Sequence, residues 1–238
     1  MKIALIGYGK MGKTIEAIAK NRGHEIVLTI DVSNQNELTE ENLKKADVAI
    51  EFTIPSSALN NYKICFASGV PVVSGTTGWL DKKEEVVAEM KKHDGTFFYA
   101  SNFSLGVNLF FALNKKLAKL MKNRTEYDIS MEEVHHSQKL DAPSGTAISL
   151  AEDIFEIHPG KKAWTLETPS KADEMHIEAI REGEVHGIHR IKYESEVDYI
   201  EIEHSAKSRQ GFALGAVLAA EFSANKKGLV SMNDLLNL

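Results

Sequence analysis

The sequence is poor in cysteine, in positive charge and in long apolar runs. Cys65 is the one cysteine, so an internal disulfide is excluded, and its apolar neighbours Ile64 and Phe66 predict a buried thiol in a reducing compartment. Lys and Arg number 28 against 34 Asp and Glu, and the net charge of −6 argues against nucleic acid as a partner. The longest apolar stretch, 212–220, falls far short of the ~20 residues that a membrane span needs. The apolar run 3–6 is too short for a signal peptide, so we expect a cytoplasmic protein.

Residues 1–104 alternate short apolar runs with segments of helical spacing. Proline at position 55 suits the first turn of a helix, and Gly69 suits its C-terminal cap. Strands that alternate with helices pair in parallel and carry helices on both faces. The sequence therefore predicts an α/β fold with an N-terminal Rossmann-type parallel sheet. Its strands are predicted at 2–6, 26–30, 48–52, 70–73 and 96–99, and its helices at 11–21, from 55 onward and at 81–93.

The pattern changes after Ser104. A long amphipathic helix is predicted to about residue 123, and later strands alternate, with Ile191 and Tyr193 separated by Lys192. Alternation is typical of a sheet with one wet face. We expect an α+β domain with a mixed or antiparallel open sheet, then helices near 212–222 and 232–237. Residues 158–175, which contain three turn-forming Pro and Gly residues, are predicted to form a loop.

The N-terminal glycines match the dinucleotide-binding pattern G-x-G-x-x-G. The match follows a predicted strand, opens a predicted helix and precedes an acid, Asp31, by roughly 20 residues. In such a turn the glycines allow the tight bend, the approach of the pyrophosphate and close helix packing, and the helix start binds phosphate charge. The turn therefore predicts a nicotinamide dinucleotide; a glycine turn without a ligand fits this context less well. The predicted cofactor residues are Gly7, Tyr8, Gly9, Lys10, Met11, Gly12 and Asp31.

The residues around Asp31 bear on which dinucleotide is used. A carboxylate accepts hydrogen bonds from free ribose hydroxyls and repels a 2′-phosphate. Val32 and Ser33 supply no compensating cation, whereas Lys10 in the turn could reach a phosphate. We predict that NADH is preferred and that NADPH is usable.

Residues 135–147 concentrate ionisable side chains just before a predicted helix. The segment contains His135, His136 and Lys139, followed by a Ser-Gly-Thr turn at 144–146. Backbone N–H groups at such a helix start suit a carboxylate. Hydride addition also needs a proton, which Lys or His can supply as a general acid. We therefore predict a site that reduces a small anionic substrate.

Two other interpretations of this segment stay open. The His135-His136 pair could be half of a zinc site, but no third ligand lies at helical or short-loop spacing, so we expect no metal. Alternatively the residues are structural, with Asp141 orienting Lys139 or the turn.

Together these motifs resemble the 4-hydroxy-tetrahydrodipicolinate reductase (dihydrodipicolinate reductase) family over almost the whole chain. The most specific part is the run 135–147, with Glu133 before it. Glu51 stands where many members have Asp. The supporting motifs are the glycine turn, Phe52-Thr53-x-Pro55, Gly75-Thr76-Thr77-Gly78, Ala100-Ser101-Asn102-Phe103-Ser104, Arg181-x-Gly183, Gly187-x-His189 and His204-x-Ala206-x-Ser208-Arg209.

The resemblance implies roles for individual residues. Lys139 would be the proton donor and His135 a proton donor or acceptor, while His136, Gly145 and Thr146 would contact substrate carboxylates. The roles of His189 and Arg209 stay open. The residues implied along the cofactor near its nicotinamide end are Gly75, Thr76, Thr77, Ala100, Ser101, Asn102 and Phe103.

The resemblance also implies an organisation and a reaction. Residues 1–104 and 210–238 would form the dinucleotide-binding domain, and 105–209 an inserted substrate domain through which the family forms homotetramers. This oxidoreductase would use NAD(P)H to reduce 4-hydroxy-tetrahydrodipicolinate to tetrahydrodipicolinate in lysine and diaminopimelate biosynthesis. An aspartate- or homoserine-type dehydrogenase is an alternative, against which the 141–146 turn argues. A non-catalytic dinucleotide sensor is another, against which His135 and Lys139 argue.

Overall fold

A computed structural model of the chain describes residues 1–208 and 210–238, so Arg209 lies outside the described residues. The elements in chain order are β1 (Lys2–Ile6), α1 (Lys10–Asn21), β2 (Glu25–Ile30), α2 (Glu40–Leu43), β3 (Val48–Glu51), α3 (Pro55–Ala67), β4 (Val72–Ser74), α4 (Lys83–Lys92), β5 (Thr96–Tyr99), α5 (Leu105–Met121), β6 (Asp128–His135), α6 (Gly145–Phe155), β7 (Ala163–Thr165), β8 (Glu174–Arg181), β9 (Ile188–Glu194), β10 (Tyr199–Ser205), α7 (Gln210–Ser223), β11 (Gly228–Val230) and α8 (Met232–Leu236). They form two compact units: Met1–Leu105 with Gln210–Leu238, and the chain between them.

The first unit is built on a parallel sheet of order β11-β5-β4-β3-β1-β2. Helices α1 and α7 cover one face, where Ile15 packs with Ala213 and Val217, and α3 and α4 cover the other, where Tyr62 packs with Met90. Because both faces are covered, the central strands are buried along their length, which explains their continuous apolar runs. The predicted Rossmann-type sheet is confirmed, and Cys65 is buried as predicted.

The second unit is built on a mixed sheet of order β10-β9-β6-β8-β7. Its central strand β6 is antiparallel to β9 and parallel to β8. Helices α5 and α6 pack on this sheet, with Ala118 and Leu150 among its fully buried core residues, and Tyr193 comes from the sheet side. This is the α+β sheet that the sequence predicted, although β6 and β8 were not located beforehand.

The predicted loop 158–175 was wrong in part. It contains strand β7, which pairs in parallel with β8, and β8 itself begins at Glu174. A buried lysine fixes the segment: Lys161 Nζ donates to the carbonyls of Ala172 (3.2 Å) and Glu174 (2.9 Å) and lies 2.7 Å from Asp128 Oδ1. These long-range contacts override the local Pro and Gly signals.

Within residues 1–208 and 210–238, no helix is both long and apolar enough to cross a membrane.

Candidate active site

The glycine turn lies at the carboxyl end of β1, where the strand order changes direction, since β1 has β2 on one side and β3 on the other. Gly7 has φ +96°, and a Cβ there would lie 1.9 Å from the carbonyl oxygen of Phe52. A Cβ on Gly12 would lie 2.3 Å from the carbonyl oxygen of Gly7. A Cβ on Gly9, by contrast, would meet nothing within 4 Å. Two of the glycines are therefore required by the fold, and Gly9 leaves open space beside the turn.

A cavity of about 360 Å³ lies beside this turn. Gly7, Tyr8 and Gly9 line it on one side and Asp31 on another. The Asp31 carboxylate accepts a hydrogen bond from the backbone N–H of Val32 at 2.9 Å, which begins a short 3-10 helix. Neither Lys nor Arg is among the described residues that line the cavity. Its charge therefore comes from a carboxylate, and Lys10 and Met11 lie instead at the start of α1.

A buried carboxylate ties together the two loops that follow β3 and β4. Glu51 is fully buried and accepts hydrogen bonds from the hydroxyls of Thr53, Ser74 (2.7 Å) and Thr76 (3.0 Å). The Thr76 hydroxyl in turn accepts a hydrogen bond from the backbone N–H of Thr53 at 2.8 Å. Through these bonds Glu51 fixes the start of the Gly75-Thr76-Thr77 loop, which sequence reasoning singled out without naming its anchor.

The segment 100–103 follows β5 at the same edge of the sheet. Ala100 and Phe103 are buried, and the Phe103 ring packs against Phe52 with centroids 5.5 Å apart. Ser101 is exposed, and the Asn102 side chain accepts a hydrogen bond from the backbone N–H of Ser104 at 2.9 Å. The residues expected along the cofactor therefore follow β1, β4 and β5, whose carboxyl ends share one edge.

The second cluster grows from the buried face of β6. Along this face apolar residues, Ile129 and Met131, give way to ionisable ones, Glu133 and His135. The register places His189 of β9 opposite Glu133 and Arg181 of β8 opposite His135. Four ionisable side chains thus meet at one end of a sheet that is otherwise apolar on this side.

Glu133 is the centre of this cluster and is fully buried. Its Oε1 accepts hydrogen bonds from the backbone N–H of Ser144 (3.0 Å) and from Arg181 Nη2 (2.9 Å). Its Oε2 lies 3.3 Å from His135 Nδ1 and 3.8 Å from His189 Nε2. Burial would raise the pKa of Glu133, but the interactions with His135, Ser144 and Arg181 outweigh it and lower the pKa to about 2. Glu133 is therefore a permanent carboxylate at neutral pH.

His189 is a neutral partner in the cluster. Burial is the main cause that lowers its pKa to about 4, and the neighbouring His135 adds to the effect. Its Nε2 lies 3.2 Å from Ser144 Oγ, and its ring meets the His135 ring edge-on with centroids 5.2 Å apart. A Cβ on Gly187 would lie 3.1 Å from His135 Nε2, so glycine is what leaves room beside that atom.

The Ser144-Gly145-Thr146 turn begins α6, as the sequence predicted for this helix start. Ser144 Oγ accepts the hydrogen bond of the Ala147 backbone N–H at 3.2 Å and so caps the helix. Gly145 is exposed, Thr146 is half-buried, and a Cβ on Gly145 would meet nothing within 4 Å. An accessible helix start of this kind presents backbone N–H groups and a positive dipole end to an anion.

Lys139 and His136 lie on the loop between β6 and α6. Lys139 Nζ lies 2.7 Å and 2.8 Å from the two carboxylate oxygens of Asp141, and the hydrogen bond from Lys139 lowers the pKa of Asp141. The Asp141 carbonyl accepts a hydrogen bond from Arg181 Nη2 at 2.6 Å. His136 is half-buried, and its carbonyl accepts the backbone N–H of Lys139 at 3.0 Å. Arg181 therefore links the lysine's loop to Glu133.

The sequence predicts no metal at the His135-His136 pair, because no third ligand lies at helical or short-loop spacing. His135 does have further candidate ligands, since Glu133, His135 and His189 offer donor atoms within 4.8 Å of one another. They come from the same strand two residues earlier and from a neighbouring strand, not from helical or short-loop spacing. Because the Arg181 guanidinium already neutralises Glu133 at 2.9 Å, we interpret the group as a hydrogen-bonded ion cluster and assign no metal to it.

Sequence reasoning missed the roles of Glu133, Arg181 and His189. The spacing of two between Glu133 and His135 was an available signal, because residues two apart in a strand share a face. The pairing of β6 with β8 and β9 was not available from the sequence.

Both halves of the chain are similar to known proteins. The family models for the N-terminus and the C-terminus of dihydrodipicolinate reductase match residues 1–103 and 106–236. A 4-hydroxy-tetrahydrodipicolinate reductase of Christiangramia forsetii is 52% identical over 100% of this chain and 98% of its own length. One from Methanosarcina acetivorans is 37% identical, covering 99% of this chain and 89% of the relative.

Solved structures give the same result. A dipicolinate-bound dihydrodipicolinate reductase from Paenisporosarcina sp. TG-14 superposes with a TM-score of 0.78 at 25% identity, covering 98% of each chain. A probable dehydrogenase from Thermotoga maritima, at 12% identity and a TM-score of 0.55 over 99% of this chain and 92% of its own, shares the fold alone. With both halves matched by family models and full-length relatives well above 30% identity, this chain belongs to the dihydrodipicolinate reductase family.

Proposed function

We propose that this chain reduces 4-hydroxy-tetrahydrodipicolinate to tetrahydrodipicolinate with a reduced nicotinamide dinucleotide, in lysine and diaminopimelate biosynthesis. The observation that carries the proposal is the arrangement in the second unit. Lys139, His135 and the accessible helix start at Gly145 are all linked, directly or through one further residue, to the buried Glu133. Arg181 links the lysine's loop to Glu133, and Glu133 binds the turn before Gly145. A cation, an imidazole and an anion-binding turn are what a dicarboxylate imine needs for binding and protonation.

The cofactor is proposed to occupy the cavity of the first unit. Asp31 would accept hydrogen bonds from the adenine ribose, and the start of α1 would bind the pyrophosphate. NADH is the preferred cofactor in this proposal, because a carboxylate lines the cavity and neither Lys nor Arg does so among the described residues. Lys10, at the first position of α1, is the reason that NADPH stays usable.

The substrate carboxylates are proposed to bind at His136, Gly145 and Thr146. Water is lost from carbon 4 of the substrate, and this carbon then accepts the hydride that a reduced nicotinamide bound in the first unit would supply. The addition leaves an enamine, which takes up a proton at the adjacent carbon. Lys139 donates that proton, which leaves its side chain as a neutral amine, and His135 then donates a proton to this amine. Because Asp141 holds the Lys139 ammonium, the substrate has to draw Lys139 away from that carboxylate.

A coupled assay tests the function. The unstable hydroxy-dicarboxylate is produced by its synthase, and the loss of NADH or NADPH absorbance is followed when this chain is added. We expect oxidation of both cofactors, with a higher kcat/KM for NADH, and inhibition by pyridine-2,6-dicarboxylate. No oxidation of either cofactor would contradict the proposed reaction, and a large advantage for NADPH would contradict the cofactor preference.

An assembled state is also part of the proposal. Strand β10 is at an edge of the mixed sheet, and its start and the preceding turn expose Val197 (88%), Tyr199 (61%) and Ile200 (41%). A second copy pairing at this edge would cover them. We propose that the assembled state is a homotetramer, and that the protein is located in the cytoplasm. Light scattering on the wild type and on an Ile200→Asp variant checks it; a monomer in both would contradict it.

A further inference from the structure

We propose that Glu133 is a positioning residue that fixes the ring of His135 through one oxygen and the substrate-carboxylate turn through the other. The proposal deepens the proposed function and rests on it, because it assigns Glu133 to the same site. Glu133 touches neither substrate nor cofactor in this assignment; it acts through His135 and Ser144.

The two carboxylate oxygens divide the contacts. Oε1 takes both strong donors, the Ser144 backbone N–H at 3.0 Å and Arg181 Nη2 at 2.9 Å. Oε2 faces His135 Nδ1 at 3.3 Å; the alignment falls short of hydrogen-bond geometry, and both atoms are buried without another partner among the described residues. One carboxylate thus serves a backbone turn on one side and an imidazole on the other.

The position of the carboxylate selects one form of the imidazole. A carboxylate only accepts hydrogen bonds, so a neutral His135 is favoured with its hydrogen on Nδ1 and its lone pair on Nε2. Nε2 is the atom beside Gly187, where a Cβ would lie at 3.1 Å. His189 does not compete for this role, because it lies 3.8 Å from Oε2 and contacts Ser144 Oγ at 3.2 Å. Proton exchange by His135 would therefore run through Nε2.

Replacing Glu133 with glutamine separates the two functions. The amide oxygen of glutamine can still accept from Ser144 and Arg181, so the turn at Gly145 keeps its anchor. The amide nitrogen then points at His135 as a donor, which favours the opposite tautomer. We expect Glu133→Gln to lower kcat ~10–100-fold, the loss that is typical when the carboxylate partner orienting a metal-binding histidine is replaced. The dissociation constant for pyridine-2,6-dicarboxylate should change less than about 3-fold, which is within ~0.7 kcal/mol.

The matched control is Glu132→Gln. Glu132 is the residue before Glu133 on β6, is half-buried and pairs with Arg190, its side chain lying on the other face of the strand. We expect its kcat, its pH profile and its inhibitor binding to match the wild type. In a His135→Ala background, Glu133→Gln should cost about 3-fold or less in kcat, because a residue that acts through His135 has nothing left to position. An undiminished loss in that background would overturn the proposal.

A spectroscopic readout does not depend on turnover. Ring ¹⁵N signals of His135, assigned by comparison with His135→Ala, report which nitrogen carries the hydrogen. We expect hydrogen on Nδ1 in the wild type and in Glu132→Gln, and on Nε2 in Glu133→Gln. Hydrogen on Nε2 in the wild type would overturn the positioning role even if the enzyme is active. A wild type that fails the coupled assay but shows this tautomer switch would instead contradict the proposed function.

A folding defect would leave a second test in place. If Glu133→Gln melts at a lower temperature, Glu133→Asp is the alternative variant. Aspartate keeps the negative charge that pairs with Arg181, but its side chain is one methylene shorter, so the carboxylate lies farther from His135. We expect Glu133→Asp to keep the pairing with Arg181 and to show a mixture of His135 tautomers with a reduced kcat. A wild-type tautomer and wild-type kcat in Glu133→Asp would contradict the proposal.

Discussion

Lys139 and Asp141 form a two-point ion pair, with Nζ 2.7 Å from Oδ1 and 2.8 Å from Oδ2. The lysine that we propose as the proton donor is therefore held by a carboxylate two residues further along the chain. A substrate carboxylate offers the same ammonium an equivalent partner. The ion pair with Asp141 keeps Lys139 oriented on its loop. In our proposal Lys139 leaves Asp141 and interacts with the substrate when the substrate binds.

Removal of the lysine tests its role. We expect Lys139→Ala to lose ~10²-fold or more in kcat because the enamine then lacks its proton donor. Lys171→Ala is the control, since Lys171 also forms a lysine–carboxylate pair in the second unit, with Glu174 at 2.9 Å, but is not in the cluster. Steady-state kinetics on both variants measure the effect, and near-normal turnover by Lys139→Ala would refute the assignment.

Two glycines of the N-terminal turn should respond differently to alanine. Gly9→Ala adds a methyl group into open space, so we expect an unchanged melting temperature and a higher KM for NADH, because the methyl lies where the pyrophosphate of the cofactor would approach. Gly7→Ala places Cβ 1.9 Å from the Phe52 carbonyl at φ +96°, so we expect a clear loss of stability. Thermal melts and cofactor titrations separate the two, and a Gly9→Ala variant with wild-type KM would count against the cofactor site.

The stability of the protein should depend on pH through His189. Its pKa is about 4 in the folded protein against an ordinary value of 6.5, so the unfolded chain takes up a proton first as the pH falls. Stability is then lost between pH 6.5 and 4, in total about 3 kcal/mol. Chemical unfolding at pH 7.5 and 4.5 measures it. His189→Gln should flatten this dependence, and an equally steep dependence in that variant would contradict the assignment.

Glu51 offers a test of the cofactor loops. Glu51→Gln replaces one of the two accepting carboxylate oxygens by an amide nitrogen, which donates. At least one of the hydrogen bonds from Thr53, Ser74 and Thr76 is therefore lost. We expect KM for NADH to rise ~10-fold while pyridine-2,6-dicarboxylate binding is unchanged. Glu89→Gln, at a surface pair with Lys92, is the control. An unchanged KM would show that the Gly75–Thr77 loop does not need this anchor.

Most of the first unit could be predicted from the sequence, because its strands and its glycine turn are specified by residues that are adjacent in the chain. Its central strands are buried on both faces and give continuous apolar runs, and the Gly7–Gly12 turn marks where one strand passes into a helix. The second unit was less readable because its functional residues interrupt the strand pattern. Glu133 and His135 end β6 and Arg181 ends β8, where apolar residues would have marked a strand. The pairing of Glu133 with His189 depends on the register of β6 and β9, which no short-range pattern specifies.

Helix α7 has a consequence for how the protein is made. Ala213, Val217 and Ala220 of this helix belong to the same core as Ile3 and Val48, near the other end of the chain. A Cβ on Gly215 would lie 1.7 Å from the Phe103 carbonyl oxygen, so the helix backbone packs directly on the loop after β5. During synthesis from the N-terminus, this face of the first sheet therefore has α1 but lacks α7 until the second unit has left the ribosome. A nascent chain stalled before residue 210 should expose to chaperones the apolar surface that α7 covers in the folded protein.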